Sequence, residues 1–104
     1  MSEVQIMMIP HGFKIRKKAD AEVFINECLC NGDYYIVTES GTQYIFTKLK
    51  SYVSVLKRTG NLYDPFNPSL EVASTKNNVY EKTVADYVWM NRKYINAKWF
   101  GKER

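Results

Sequence analysis

Histidine is almost missing from this sequence: His11, in a Pro10-His11-Gly12 break, is the only one. That scarcity leaves few acid–base arrangements, because histidine is the side chain that ordinarily titrates near neutrality. Cysteine is nearly as scarce. Cys28 and Cys30 are too close in sequence to close an ordinary structural disulfide. With His11 they still fall short of the roughly four ligands of a structural zinc site. No metal and no cofactor is therefore expected. The sequence has neither a GxGxxG run nor a Walker-type Gly-Lys-Ser/Thr, so the usual phosphate cradles are excluded. Long apolar runs are missing too. Val4–Ile9 is too short for a signal core and has no basic leader, and nothing approaches the ~20 residues of a membrane span. No membrane association is expected, and free thiols suit a cytoplasmic, reducing location.

What remains is the composition of a folded protein: 45% hydrophobic, 25% charged and only three prolines in 104 residues. A single domain over residues 1–104 is expected, long enough to bury its own core. Aromatics reach 14%, eight of them tyrosines, which suits a thin core finished by amphipathic rings or an interface. Net charge is +4, compatible with a polyanion without requiring one.

Periodicity supplies the elements. Glu3–Ile9 reads as a short strand stopped by Pro10, and Gly12–Lys17 alternates Phe13 and Ile15 with Lys14 and Arg16, as a half-buried strand does. Asp20 is placed to cap a helix whose apolar face is Ala21, Phe24, Ile25, Cys28 and Leu29, closed by Gly32. Tyr34–Glu39 and Thr42–Thr47 flank Ser40-Gly41 as a hairpin. Over residues 47–59, Leu49, Tyr52, Val53 and Leu56 recur at helical spacing, with Lys48, Lys50, Lys57 and Arg58 on the outer side. Asn61–Ser69 is a turn region and Leu70–Thr75 a short edge strand; a long helix is expected over residues 79–100. The class is α+β: a small antiparallel sheet with two amphipathic helices on one face, in a βαββαβ-like, ferredoxin-like order, plus an extra N-terminal strand and the long C-terminal helix.

Catalysis is the weakest expectation. Cys28 falls on the packed helix face, where thiols are usually inert, and nothing in the sequence stabilises a thiolate at Cys30. A cysteine-dependent enzyme ranks third. The surface of interest lies on the last helix. Tyr80, Val84, Tyr87, Val88, Asn91, Tyr94, Ile95 and Trp99 form its core side, whereas Trp89 and Phe100 project away, beside Arg92, Lys93 and Asn96.

Either those rings are structural, with Trp89 covered by the N-terminal strand or the Asn61–Ser69 loop and Phe100 capping the helix end, or they anchor a protein partner, since Trp, Tyr and Arg dominate interface hot spots. Alternatively they stack on bases while Arg92, Lys93, Lys98 and Lys102 pair with phosphates, helped by Lys50, Lys57 and Arg58 of the 47–59 helix. Val88–Lys93 is similar to a homeodomain recognition helix, but Asn91 stands one position too close to Trp89. Gly41–Phe46 resembles an RNA-recognition-motif strand at Gly41, Tyr44 and Ile45, yet Thr42 and Thr47 hold positions where that motif has aromatics. Neither assigns a family. The Asn/Lys/Tyr/Ile-rich composition resembles that of accessory proteins from phages and mobile elements. On that likeness the first expectation is a non-catalytic modulator docking on a host or replication protein, of unknown oligomeric state. Direct nucleic-acid binding through the basic helices is the alternative.

Overall fold

The computed structural model describes residues 12–100. The expected strand at Glu3–Ile9, His11 and Lys102 lie outside them. A helical segment opens the described chain, four antiparallel strands follow in sequence order, and a broken helix closes it. The α+β class and the antiparallel sheet are as expected. The order of elements is not: no helix intervenes between the strands, so the arrangement is αββββα rather than βαββαβ.

Phe13 to Lys17 is extended without joining the sheet. Its rungs are supplied by one side chain, because Asn96 accepts from the Ile15 amide (2.9 Å) and donates to the Ile15 carbonyl (3.0 Å). Helix α1 then runs Lys18–Val23. Asp20 is its third residue rather than its cap; its carboxylate reaches back to the amides of Arg16 and Lys17 at 2.8 and 3.0 Å. Those donors hold its pKa below the usual carboxylate value. The helix widens into a π turn over Phe24–Cys28, closed by Leu29 N–H donating to the Phe24 carbonyl. The apolar face Ala21, Phe24, Ile25, Cys28 and Leu29 is buried as its spacing implied. Gly32 is not a helix cap: with φ +142° it starts the first strand.

β1 (Gly32–Val37) and β2 (Gln43–Leu49) form the expected hairpin. β3 (Tyr52–Arg58) replaces the helix expected over residues 47–59. The segment is ambiguous by pattern alone. Leu49, Tyr52, Val53 and Leu56 satisfy a helical face, while Val53 and Val55 alternate with Tyr52, Ser54 and Leu56 as a strand would. Burial between two neighbours decides it, since β3 pairs with β2 on one side and β4 (Leu70–Ser74) on the other. Val53 and Val55 are then fully enclosed, where β-branched side chains pack well.

Tyr34, Ile36, Tyr44, Phe46, Val53, Val55 and Ala73 face one core with Ile15, Phe24, Cys28, Val84, Val88 and Ile95. All helical segments therefore pack on one face of the sheet. Tyr34 is fully buried, and its hydroxyl finds both partners in the turn before its own strand: it accepts from the Cys30 amide (3.0 Å) and donates to the Cys30 carbonyl (2.8 Å). The ring thus locks the α1–β1 connection onto the core.

The C-terminal helix is shorter and more broken than its periodicity suggests. Residues 75–83 are turns; α2 runs Val84–Met90, and α3 Arg92–Ile95 continues into a π turn over Asn96–Phe100. Thr83 starts α2 with a reciprocal cap: its hydroxyl accepts from Asp86 N–H (3.0 Å) and the Asp86 carboxylate accepts from Thr83 N–H (2.9 Å). The break falls at buried Asn91, whose amide side chain and backbone N–H both donate to the Tyr87 carbonyl.

Candidate functional site

The described residues of the expected basic, aromatic face are divided between the core and separate parts of the surface. Phe100 is 8% exposed and stands edge-on to Phe13 (5.1 Å) and Phe24 (5.8 Å), inside the core. An α-helix would rotate it about 140° away from Ile95, but the π turn stacks residues five apart and brings it back beneath. Trp89 is half-buried against the core margin, and the Arg92 guanidinium lies 3.8 Å from its ring while Arg92 also donates to the Trp89 carbonyl. The two groups close on each other across the break between α2 and α3. Asn96 holds Ile15, as described.

The cations are dispersed and mostly engaged. Lys93 pairs with Glu39 at 3.4 Å, and Lys98 donates to the Tyr35 carbonyl at 2.6 Å. The loss of the 47–59 helix separates its basic residues. Lys50 sits in the β2–β3 turn, whereas Lys57 and Arg58 lie at the far end of β3. Arg58 is turned onto two loop carbonyls and the Gln43 side chain of β2. Cys28 is enclosed, and burial, reinforced by Glu27, pushes its thiol up to about 11, which disfavours the reactive thiolate.

The feature that periodicity does not reveal is that loop, between β3 and β4. Its sequence is Asn61-Leu62-Tyr63 followed by Asp64-Pro65-Phe66, the same Asx-x-aromatic triplet in tandem. Each triplet starts a β-turn: Asn61 O accepts from Asp64 N–H and Asp64 O from Asn67 N–H, both at 3.1 Å. The Asx side chains add a second closure, from Tyr63 N–H to Asn61 Oδ1 and from Phe66 N–H to Asp64 Oδ1, each 2.9 Å.

The paired turns are fastened from both ends. Arg58 donates to the carbonyls of Asn67 and Asp64 at 2.9 Å. Asn67 Nδ2 donates to the carbonyls of Thr59 (2.7 Å) and Asn61 (2.9 Å). Gly60, at φ +80°, lets the chain leave β3 in the left-handed conformation that this closure requires.

A loop so constrained nevertheless holds its rings in water. Tyr63 is 95% exposed and Phe66 89%, and Leu70 at the start of β4 is 66% exposed. Beside them lies a shallow hollow of about 470 Å³ lined by Lys57, Thr59, Asn67, Pro68, Leu70 and Val72. Tandem Asx residues, each followed two positions later by an aromatic, are the sequence signal for it, whereas the prolines alone indicate only a plain connector. Comparison with known protein families, with curated proteins and with solved structures finds no match for this chain.

Proposed function

We propose that this protein is a non-catalytic docking module, an accessory or modulator protein that binds another protein through the β3–β4 loop. One observation carries the proposal: Tyr63 and Phe66 are almost wholly solvent-exposed on a backbone whose carbonyls and amides are individually tied down. Exposed aromatic rings on a mobile loop would be unremarkable. On a pre-organised loop they are rigid anchors, which lose little conformational freedom when a partner covers them.

The partner is inferred to be a protein because the surroundings lack the charge a nucleic acid needs. Arg58 is turned inward to the loop carbonyls, Asp64 contributes a carboxylate, and Leu70, Pro65 and Pro68 extend an apolar surface. Phosphate binding depends on several free cations tracking a backbone. The expected basic face offers instead Lys93 on Glu39, Lys98 on a carbonyl and Arg92 folded over Trp89. This moves the anchor from Trp89 to Tyr63 and Phe66.

The test is affinity capture from lysate of the native host, with and without nuclease, using the wild type, the Tyr63→Ser/Phe66→Ser double variant and Trp89→Ala. A protein retained after nuclease treatment, lost with the double variant and kept with Trp89→Ala is the expected result. Capture that depends on nucleic acid, or that the double variant leaves intact, would overturn the proposal.

A further inference from the structure

The opposite edge of the sheet lies away from the β3–β4 loop. Among the described residues β1 is an outermost strand. Its phase is set by Thr38 N–H donating to Thr42 O at the hairpin end. Antiparallel alternation then turns the backbone groups of Tyr34 and Ile36 toward β2, and those of Asp33, Tyr35 and Val37 toward the free side. The Lys98 contact agrees, since it reaches the Tyr35 carbonyl from outside the sheet.

A bare edge usually invites association and is blunted by lysine or by cover. Here the cover is partial. The α3 region runs alongside, with Tyr94 Oη accepting from Glu39 N–H (3.2 Å) at one end and Lys98 on Tyr35 O at the other. Between strand and helix lies a groove of about 440 Å³, lined by Tyr35, Ile36, Val37, Tyr94, Ala97 and Lys98. Small Ala97 keeps it open, and Tyr35 and Val37 remain 43% and 49% exposed.

We propose that this groove receives an extended, acidic peptide segment of a partner protein, added as a fifth strand beside β1. The outward amides of Tyr35 and Val37 and the Val37 carbonyl supply the ladder. Lys98 supplies the charge preference. Its ammonium rests on a neutral carbonyl, and among the described residues no carboxylate pairs with it. An incoming carboxylate draws it off, and the freed Tyr35 carbonyl then accepts a peptide N–H. Charge-assisted bonds of this kind are roughly twice as strong as neutral ones. A second copy of this chain is the poorer occupant, because edge pairing about Tyr35 would set two Lys98 ammoniums side by side.

The full-length protein is titrated by fluorescence anisotropy with two fluorescein-labelled nine-residue peptides, one alternating valine with glutamate and the other valine with lysine. The glutamate peptide is expected to bind, more weakly as salt rises, and the lysine peptide to bind at least tenfold less well. Lys98→Met should cost the glutamate peptide roughly tenfold and flatten its salt dependence. Val37→Pro removes an outward donor without touching the β1–β2 ladder, a placement that edge strands tolerate. It should likewise cost about tenfold while leaving the melting temperature near that of the wild type.

Equal binding of both peptides, no binding of either, or full affinity in Val37→Pro and Lys98→Met would refute the site. A concentration-dependent dimer that Val37→Pro dissolves would assign the edge to a second copy instead. The Tyr63→Ser/Phe66→Ser variant should bind the peptide as the wild type does, so failure here and failure of loop docking are told apart.

Discussion

Single side chains in this protein hold together segments that the backbone leaves unpaired. Asn96 does so for Ile15, Arg58 and Asn67 for the β3–β4 loop, and Tyr34 for the turn at Cys30. Identity alone does not announce such roles, because the same arginine or asparagine on a free surface would bind a phosphate or nothing. Phe100 shows the converse, a ring that helical geometry places outside and a π turn places inside. Truncating a buried phenylalanine leaves a cavity and loses transfer free energy, typically about 3–5 kcal/mol. Phe100→Ala is therefore expected to lower stability by about 3 kcal/mol in urea denaturation. Arg92→Ala, at an exposed position, should stay within about 0.5 kcal/mol. Equal small effects from both would put Phe100 outside the core.

At the scale of elements, the β3–β4 loop behaves as a built object rather than a connector. Arg58 reaches it from the last residue of β3, so the strand end and the loop conformation stand or fall together. Hydrogen bonds from a charged donor contribute about 1.5–3 kcal/mol each, less here because Arg58 is only partly buried. Arg58→Ala should lower stability by about 1–2 kcal/mol. It should also speed hydrogen exchange at the amides of Asp64, Phe66 and Asn67, with exchange in β1 and β2 unchanged. Partner capture should fall although Tyr63 and Phe66 are both still present. That outcome separates pre-organisation from mere possession of the rings. If capture is unaffected, rigidity of the loop is not what the rings require.

The same scale explains why β3 reads as a helix. Its turn from β2 uses Lys50-Ser51, with Leu49 opposite Tyr52. Neither residue is glycine or asparagine, and neither takes positive φ. The usual hairpin signal is therefore missing, and the lysines flanking the turn look like a helix's wet side. By contrast, Ser40-Gly41 uses glycine at φ +89° and was legible.

At the scale of the whole molecule, α1 and α2, far apart in sequence, are joined at the surface by the ion pair of Lys18 with Asp86 at 2.9 Å. The Asp86 carboxylate also caps α2. The Thr83 amide, and then Lys18, lower its pKa to about 2 from an ordinary 3.8. A depressed pKa means stabilisation that is fully present above the ordinary value and is lost as pH falls through the folded one. Wild-type stability should therefore decline as pH drops from about 4 to about 2, and Asp86→Asn should be less stable at neutral pH with a shallower decline over that window. Asp20, also depressed, keeps some acid sensitivity in the variant. Thermal melts at a series of pH values measure this; parallel curves for both proteins would show that Asp86 does not link folding to pH. None of the described helices is long and apolar enough to cross a membrane.

Local pattern by itself determined the α+β class, the buried face of α1, the β1–β2 hairpin and the β4 edge strand, because each is written in neighbouring residues: an apolar period, a glycine turn, a short β-branched run. Tertiary structure alone decided the rest. Val53 and Val55 become strand residues because neighbours wait on both sides of them, a condition that no single segment contains. Phe100 turns inward because two other rings leave a place for it. Tyr63 and Phe66 become the candidate anchors, in place of Trp89, because Arg58 folds under their loop while Arg92 folds over the tryptophan. Exposure is a property of what surrounds a side chain, and its surroundings come from residues distant in sequence.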